Sequence, residues 1–425
     1  MRILVLGATG LIGRHLLAAL RAVGHAAIGA SRKAPAGLAE GAPAWCELDF
    51  GTLTSPEAWL PHLAHVDAVI NCVGILREHR PGDYERLHHL APAALFAACE
   101  RTGVRRVIHL SALGSTEDAP TAYWRSKAAG ERALERHALD STIVRPSLVY
   151  SEDGASSKLF LALATLPALA LPAAHSSRVQ PVHIGDLCAA LLALLAPAAP
   201  RELAAVGPRA MSMAAYLACL RGGMAAGAAM PVLEVSMPLA RLAARVAALH
   251  PSSALTPDSL AMLAASADGC NTATPAPMQA LLAGRPLRDP ASFAAPAQKP
   301  AAVLSWAMPL ATIAMAVLWL WTAYVSWFAW PHAGSTGWLA ACGIPAAWGE
   351  ATLAAASLLD ASIGCALLLR PRRWLWPLQL ALVGGYTVAM SFCLPEFWLH
   401  PFGPLSKNLP ILALLLAMWR LDERK

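Results

Sequence analysis

The stretch MRILVLGATGLIGRHLLAALRAVGH, residues 1–25, decides the fold. Ile3 to Leu6 is a continuous apolar run, the pattern of a parallel strand buried on both faces. Three glycines follow at a spacing of three: Gly7, Gly10 and Gly13. Leu11, Ile12, Leu16, Leu17 and Leu20 then recur at helical spacing. Strand, glycine turn and helix in this order place free backbone N–H groups at a helix N-terminus, where a pyrophosphate binds. Glycine lets the backbone approach that group closely. A glycine-rich turn without a nucleotide is the alternative, but the flanking strand and helix favour the dinucleotide. Gly7, Thr9, Gly10, Leu11, Ile12 and Gly13 are therefore the expected cofactor loop.

Working outward, AAIGASRK is a second strand that ends near Ser31. An NAD enzyme places an acid about 20 residues past the glycines to hold the ribose 2′-hydroxyl. Ser31, Arg32 and Lys33 stand there instead, and an arginine can pair with a 2′-phosphate. NADP(H) is favoured over NAD(H), with a merely solvated basic loop as the alternative. CELDF places Asp49 after a third strand, DAVINCVGI is a fourth, and GVRRVIHLSALGS a fifth ending at Ser111. Helical stretches such as APAALFAACERTG alternate with them. The expected fold is α/β, a doubly wound parallel sheet. Twelve residues past Ser111, Tyr123 and Lys127 sit four apart in TAYWRSKAAGE and so share one helix face. An ammonium and a nicotinamide ribose beside a phenol, whose ordinary pKa is near 10, favour the phenolate and let the tyrosine exchange a proton.

These motifs resemble the short-chain dehydrogenase/reductase superfamily in its extended and atypical branches, especially the branch that includes the nucleotide-binding accessory subunit of respiratory complex I. GATGLIG, DAVINCVGI, HLSALGS, AYWRSKAAGE, STIVRPSLVY and VQPVHIGDLCAAL carry the resemblance over residues 1–200. It implies that Asp49 meets the adenine amino group and that Asn71, Val73 and Gly74 line the cofactor. It implies Tyr123 as acid/base and Lys127 as the residue that lowers its pKa and holds the ribose. It implies an NAD(P)-dependent oxidoreductase or epimerase/dehydratase-like activity. One departure stands out: Leu113 occupies the place of the family's catalytic Ser or Thr, for which Ser111 or Ser115 can substitute. Some members of the branch bind NADPH without turnover, so a non-catalytic redox-sensing or assembly module is the rival reading. Arg145 and Pro146 are expected on the substrate side, Asp186 as a helix N-cap and His183 as structural.

Composition adds a second part. The 425 residues are 56% hydrophobic and 14% charged, against about 25% charged in soluble domains. The net charge of +6 is spread without a long basic run, so no nucleic-acid partner is expected. The N-terminus lacks a basic n-region, so no signal peptide is expected. The nine cysteines are scattered without a C-x-x-C. They read as apolar fillers in a reducing compartment, not as a disulfide frame or a metal site.

The expected domains are a Rossmann domain over 1–210, a helical substrate-side subdomain over 211–285, a Pro/Ala-rich linker over 286–301 and a membrane domain over 302–425. Within the subdomain, 237–266 reads as two helices with Thr256 and Pro257 opening the second. In the last domain a charge-free run begins near residue 303, further candidate spans cover roughly 350–369, 374–394 and 408–421, and a spanning helix needs about 20 residues. Arg370, Arg372, Arg373 and the basic C-terminus mark cytoplasmic ends. Four spans then place the nucleotide domain and the C-terminus on the cytoplasmic side of a bacterial inner membrane. The layout and HPFGPLSKNLPILALLLAMW resemble the DoxX-like family, and a lipid, quinone or other lipid-soluble substrate would suit such a tether. Asp360 lies mid-span in SLLDASIG, as either a ligand or proton site or an interhelical polar contact.

Overall fold

The computed structural model describes residues 1–35, 44–247 and 257–422. The chain divides into two compact units, Met1–Ala302 and Val303–Lys425.

The first unit is built on a seven-stranded sheet: β1 (Arg2–Leu6), β2 (Ala26–Ser31), β3 (Trp45–Glu47), β4 (Ala68–Asn71), β5 (Arg106–Leu110), β6 (Ser141–Pro146) and β7 (Glu202–Ala205). The spatial order is β7-β6-β5-β4-β1-β2-β3 and every pairing is parallel. Strand order reverses beside β1, which leaves a crevice at the carboxyl ends of β1 and β4, where doubly wound sheets bind nucleotides. Helix α1 (Leu11–Ala22) packs Leu16, Leu17 and Leu20 on one face of the sheet, together with Leu187 and Leu191 of α4 (Ile184–Ala193). The other face is covered by α2 (Ala91–Thr102) and α3 (Ala122–Glu135), through Leu95, Phe96 and Leu134. Central strands covered on both sides read as unbroken apolar runs, which is why β1 and β4 were visible in the sequence.

A third cluster, around Tyr150, Tyr216, Leu217 and Phe293, forms the smaller lobe. The stretch read as a linker is packed here: Phe293 and Ala294 are buried in this cluster, and Leu287 lies in the sheet core. Two helices, α5 (Met237–Ala247) and α6 (Pro257–Ala265), fall where two were read, and Thr256 lies outside the described residues. Asp186 is not the cap of α4. His183 caps it by accepting from Gly185 N at 3.0 Å, and the Asp186 carboxylate instead receives Arg285 at 2.6 Å and the Arg288 backbone N–H at 2.8 Å.

In the second unit, α7 (Lys299–Tyr324), α8 (Ala346–Leu369) and α9 (Leu375–Cys393) are long and apolar enough to cross a membrane. The helix at the fourth expected span, α10 (Asn408–Leu421), has 14 residues. At 1.5 Å per residue it reaches about 21 Å, short of a hydrocarbon core of about 30 Å. Polar side chains tie the helices together. Trp319 donates to Gln379 at 2.8 Å, Asn408 to Thr387 at 2.8 Å and Trp376 to Asp422 at 2.6 Å.

One cysteine expectation is overturned. Cys342 and Cys393 form a disulfide across 51 positions, with Cα atoms 5.0 Å apart. The short helix His332–Ala341 and the end of α9 bring the two thiols together, a pairing that sequence spacing alone does not announce.

Candidate active site

The glycine loop has the geometry a dinucleotide needs. Gly7 has a φ of +71°, and a Cβ on it would meet the Cys72 carbonyl carbon at 3.0 Å. A Cβ on Gly13 would run into the Gly7 carbonyl oxygen, so only glycine lets α1 start this close to β1. Gly10 is the N-cap of α1 and brings no side chain to the first-turn N–H groups, which stay free for phosphate oxygens. Thr9 lies exposed in the turn, with Leu11 and Ile12 at the start of the helix.

Beside the loop lies a cavity of about 1070 Å³. Gly7, Thr9, Ser31, Arg32, Lys33, Asp49, Val73 and Ile75 line it, as do Arg80 and Arg86 from the segment after β4. The residues present fit an adenine dinucleotide: an open helix N-terminus, a cradle that a Cβ would fill and a cationic far end. Arg80 and Arg86 were not singled out in the sequence. Their signal was the charged run REHRPGDYER directly after the Asn71–Gly74 turn. Arg86 is already paired with Asp83, whose carboxyl is held below its usual range first by the Arg80 backbone N–H.

Asn71 and Asp49 act chiefly on their own backbone. The Asn71 side chain is fully buried; it accepts from Val73 N at 3.0 Å and its amide meets His109 Nδ1 at 3.2 Å. It shapes the turn that presents Val73. Asp49 accepts from Gly51 N at 3.2 Å and so holds a short turn at the cavity edge.

Tyr123 and Lys127 face the sheet from α3. Thr121 caps this helix by accepting from Trp124 N at 3.3 Å, and buried Trp124 packs against Gly114. That anchoring turns Lys127 inward. Its ammonium donates to the carbonyls of Leu110 at 3.0 Å and Val73 at 3.4 Å, bridging the ends of β5 and β4. A Cβ on Gly74 would lie 3.1 Å from the Lys127 Nζ. One turn further, Glu131 is held by Arg145, which also reaches Glu202 at 2.6 Å. Arg145 is thus a strut between α3, β6 and β7 and not a substrate-side group. Burial pushes the Lys127 ammonium down to about 8, opposed by Cys72 and Glu131. Burial raises the Tyr123 phenol, with Tyr84 adding to the rise. The expected lowering by Lys127 is absent in the chain alone.

A histidine lies beside the phenol. His88 lies edge-on to Tyr123 at 5.8 Å and stacks on Tyr84 at 5.4 Å. Its Nε2 accepts from Ile75 N at 3.1 Å, so Nδ1 carries the proton toward the Ser126 hydroxyl at 2.8 Å. Burial drives His88 down to about 2, which keeps it neutral. Ser111 donates to Ser115 at 3.4 Å, and both are buried at the mouth of β5. The two hydroxyls considered as substitutes at the Leu113 departure therefore lie side by side.

Residues 3–205 match the NAD dependent epimerase/dehydratase family, and residues 316–416 match the DoxX-like family. The first stretch is thus similar to an epimerase/dehydratase-type Rossmann domain and the second to a DoxX-like domain. It is 30% identical over 203 residues to the mitochondrial NADH dehydrogenase [ubiquinone] 1 alpha subcomplex subunit 9 of Arabidopsis thaliana, covering 45% of this chain and 49% of that protein. It is 30% identical over 195 residues to a ceramide reductase of Caulobacter vibrioides, covering 44% and 59%. The chain thus spans only about half the length of the curated relatives it matches. A nucleoside-diphosphate-sugar epimerase structure from Staphylococcus aureus superposes with a TM-score of 0.53 at 20% identity, over 69% of this chain and 99% of the other. That likeness establishes the fold.

Proposed function

We propose that the first unit is an NADP(H)-dependent reductase for a lipid-soluble carbonyl compound, held at a membrane by the helices of the second. The observation that carries the reading is the pair on α3. Tyr123 lies one turn from an ammonium that touches the carboxyl ends of both β4 and β5, and Val73 and Ile75 continue from there into the dinucleotide cavity. Bound dinucleotide supplies the hydride. Tyr123 delivers the proton to the carbonyl oxygen, Lys127 holds the ribose edge and favours the phenolate, and Ser111 with Ser115 donates to the oxygen. Gly7, Gly10 and Gly13 seat the pyrophosphate, and the Asn71–Gly74 turn lines the nicotinamide side.

Arg32 and Lys33 support NADP over NAD, since each can meet a 2′-phosphate and β2 ends without the acid that grips a ribose diol. The matched family is described by NAD, so this preference rests on these side chains. A relative named a ceramide reductase makes a lipid carbonyl the favoured substrate class. The membrane placement follows the charges. Arg370, Arg372 and Arg373 mark the cytoplasmic end, and the Cys342–Cys393 disulfide suits the opposite, oxidising side. With α10 counted as a short span, the nucleotide unit and the C-terminus are cytoplasmic.

Leu113 and the likeness to a respiratory-complex subunit favour a second reading, a non-catalytic nucleotide-binding module. Tyr123→Phe separates the two. For the reductase, NADPH oxidation by a long-chain ketone falls about 100- to 10,000-fold while NADPH binding is retained. If the variant oxidises NADPH at the wild-type rate, the acid/base assignment is wrong.

A further inference from the structure

Helix α5 (Met237–Ala247) is turned the wrong way for its composition. It packs on the first unit through small residues: Ala240 and Ala244 are buried in a cluster with Leu260 of α6, and Val235 lies against them. Its leucines point outward. Leu239 is 58% exposed and Leu242 59%. Steps of about 100° per residue put these two leucines about 60° apart, on the side of the helix nearly opposite the two alanines. Arg241 and Arg245 are exposed on a flank between the two faces. The helix carries no acid.

A single exposed leucine needs no explanation. A helix that buries alanine and presents leucine has an apolar stripe that its own fold leaves uncovered. The charges indicate what covers it. Arginines beside a leucine stripe lay their stems along the apolar surface and reach lipid phosphates, as in a helix lying in a bilayer interface. Two copies joined on this stripe would bring Arg241 and Arg245 near their own counterparts, with no acid on the helix to offset them. The same chain also carries α7, α8 and α9, each long and apolar enough to cross a membrane. On the membrane placement proposed above, these helices tether the first unit at a bilayer, and tethering makes a weak second contact effective.

We propose that α5 is a second membrane contact, in which Leu239 and Leu242 enter the interface of an anionic bilayer and Arg241 and Arg245 meet its phosphates. It rests on the membrane placement of the second unit and adds a lipid-facing side to the first. A contact of this kind fixes how the nucleotide unit lies on the surface, which a single tether does not.

The test uses the full chain, one copy per nanodisc, in phosphatidylcholine alone and in an equimolar mixture with phosphatidylglycerol. Both discs carry a phospholipid with a diazirine high on its acyl chain, and labelled peptides are read by mass spectrometry after illumination. The expected result is labelling at 239–242 in the mixed discs, at least about fivefold weaker without phosphatidylglycerol. Leu239→Ser with Leu242→Ser lowers it about tenfold while helix content and melting are retained. Arg241→Gln with Arg245→Gln reproduces the loss seen without phosphatidylglycerol. If a variant loses its fold, the comparison of the two lipids on the wild-type chain still decides. Peptides of α7, α8 and α9 are the control. If they label and 239–242 does not, the proposal alone is overturned; if they fail to label, the membrane placement falls and the proposal with it. Equal labelling in the two lipids overturns the anionic contact. Cross-links between two copies at 239–242, in discs that hold two chains and with no lipid label there, overturn it in favour of a second copy.

Discussion

The two units bury charge by different rules. In the first, Asp83, Arg106, Lys127, Glu131 and Asp186 are almost fully enclosed, and each has a partner. Arg106 reaches Asp140 at 2.6 Å and the Leu194 carbonyl at 2.9 Å, Lys127 binds two carbonyls, and Asp186 holds Arg285. In the second, Asp422 is bonded to Trp376, but Asp360 is not bonded. A buried charge with partners positions a fold, whereas one without them is costly to keep as a charge. Lys127 belongs to the partnered kind, because its ammonium binds the carbonyls of Leu110 and Val73 at two strand ends.

The same kind of substitution should therefore behave differently in the two units. Gly13→Val places side-chain atoms against the Gly7 carbonyl and closes the pyrophosphate cradle. Overpacking of this kind costs about 1–3 kcal/mol, and NADPH affinity measured by fluorescence titration should fall at least 100-fold. Gly385→Val in α9 meets nothing within 4 Å and should leave affinity and melting unchanged. Equal effects of the two would break the comparison. Next in size, Leu16→Ala empties a fully buried core position and should cost the first unit about 2–5 kcal/mol in denaturant unfolding. Leu310→Ala, 58% exposed on α7, should stay within about 0.5 kcal/mol.

Acid gives a smaller difference. His88 and His109 are buried and pushed down to about 2 and about 3, in both cases first by burial. Their folded values lie below the ordinary 6.5. As pH falls below that, the unfolded chain takes up two protons that the folded unit refuses, so stability is lost. Each histidine contributes up to about 1.4 kcal/mol per pH unit, or about 3 kcal/mol for the pair between pH 6.5 and 5. Thermal melting followed by intrinsic fluorescence should show the first unit weakening across this range. His88→Gln with His109→Asn should flatten the dependence; an unaltered slope would mean other groups carry it.

The sequence made the first unit's frame legible because buried parallel strands leave apolar runs and a pyrophosphate turn leaves glycines at fixed spacing. Gly7, Gly13 and the α3 face with Tyr123 and Lys127 were readable for that reason. Asn71 was legible as part of a turn, but its inward amide was not, since that depends on His109 from the neighbouring strand. His88 was missed because the π-helical turn Glu85–Leu90 that aims it at Tyr123 breaks the usual helical period. The strut Arg145–Glu131–Glu202 and the disulfide Cys342–Cys393 join residues far apart in sequence, and no local pattern carries them. The packing of Phe293 was hidden by its Pro/Ala-rich surroundings, whose composition resembles a loose connection.

The central claim is an NADP(H) site in the first unit, read from the glycine cradle and from Arg32 and Lys33. The most direct test is binding of NADPH and NADH to the full chain in nanodiscs, followed by nicotinamide fluorescence, with Arg32→Ala alongside. NADPH should bind at least tenfold more tightly than NADH, with Arg32→Ala removing most of that difference. A folded chain that binds neither nucleotide would contradict it.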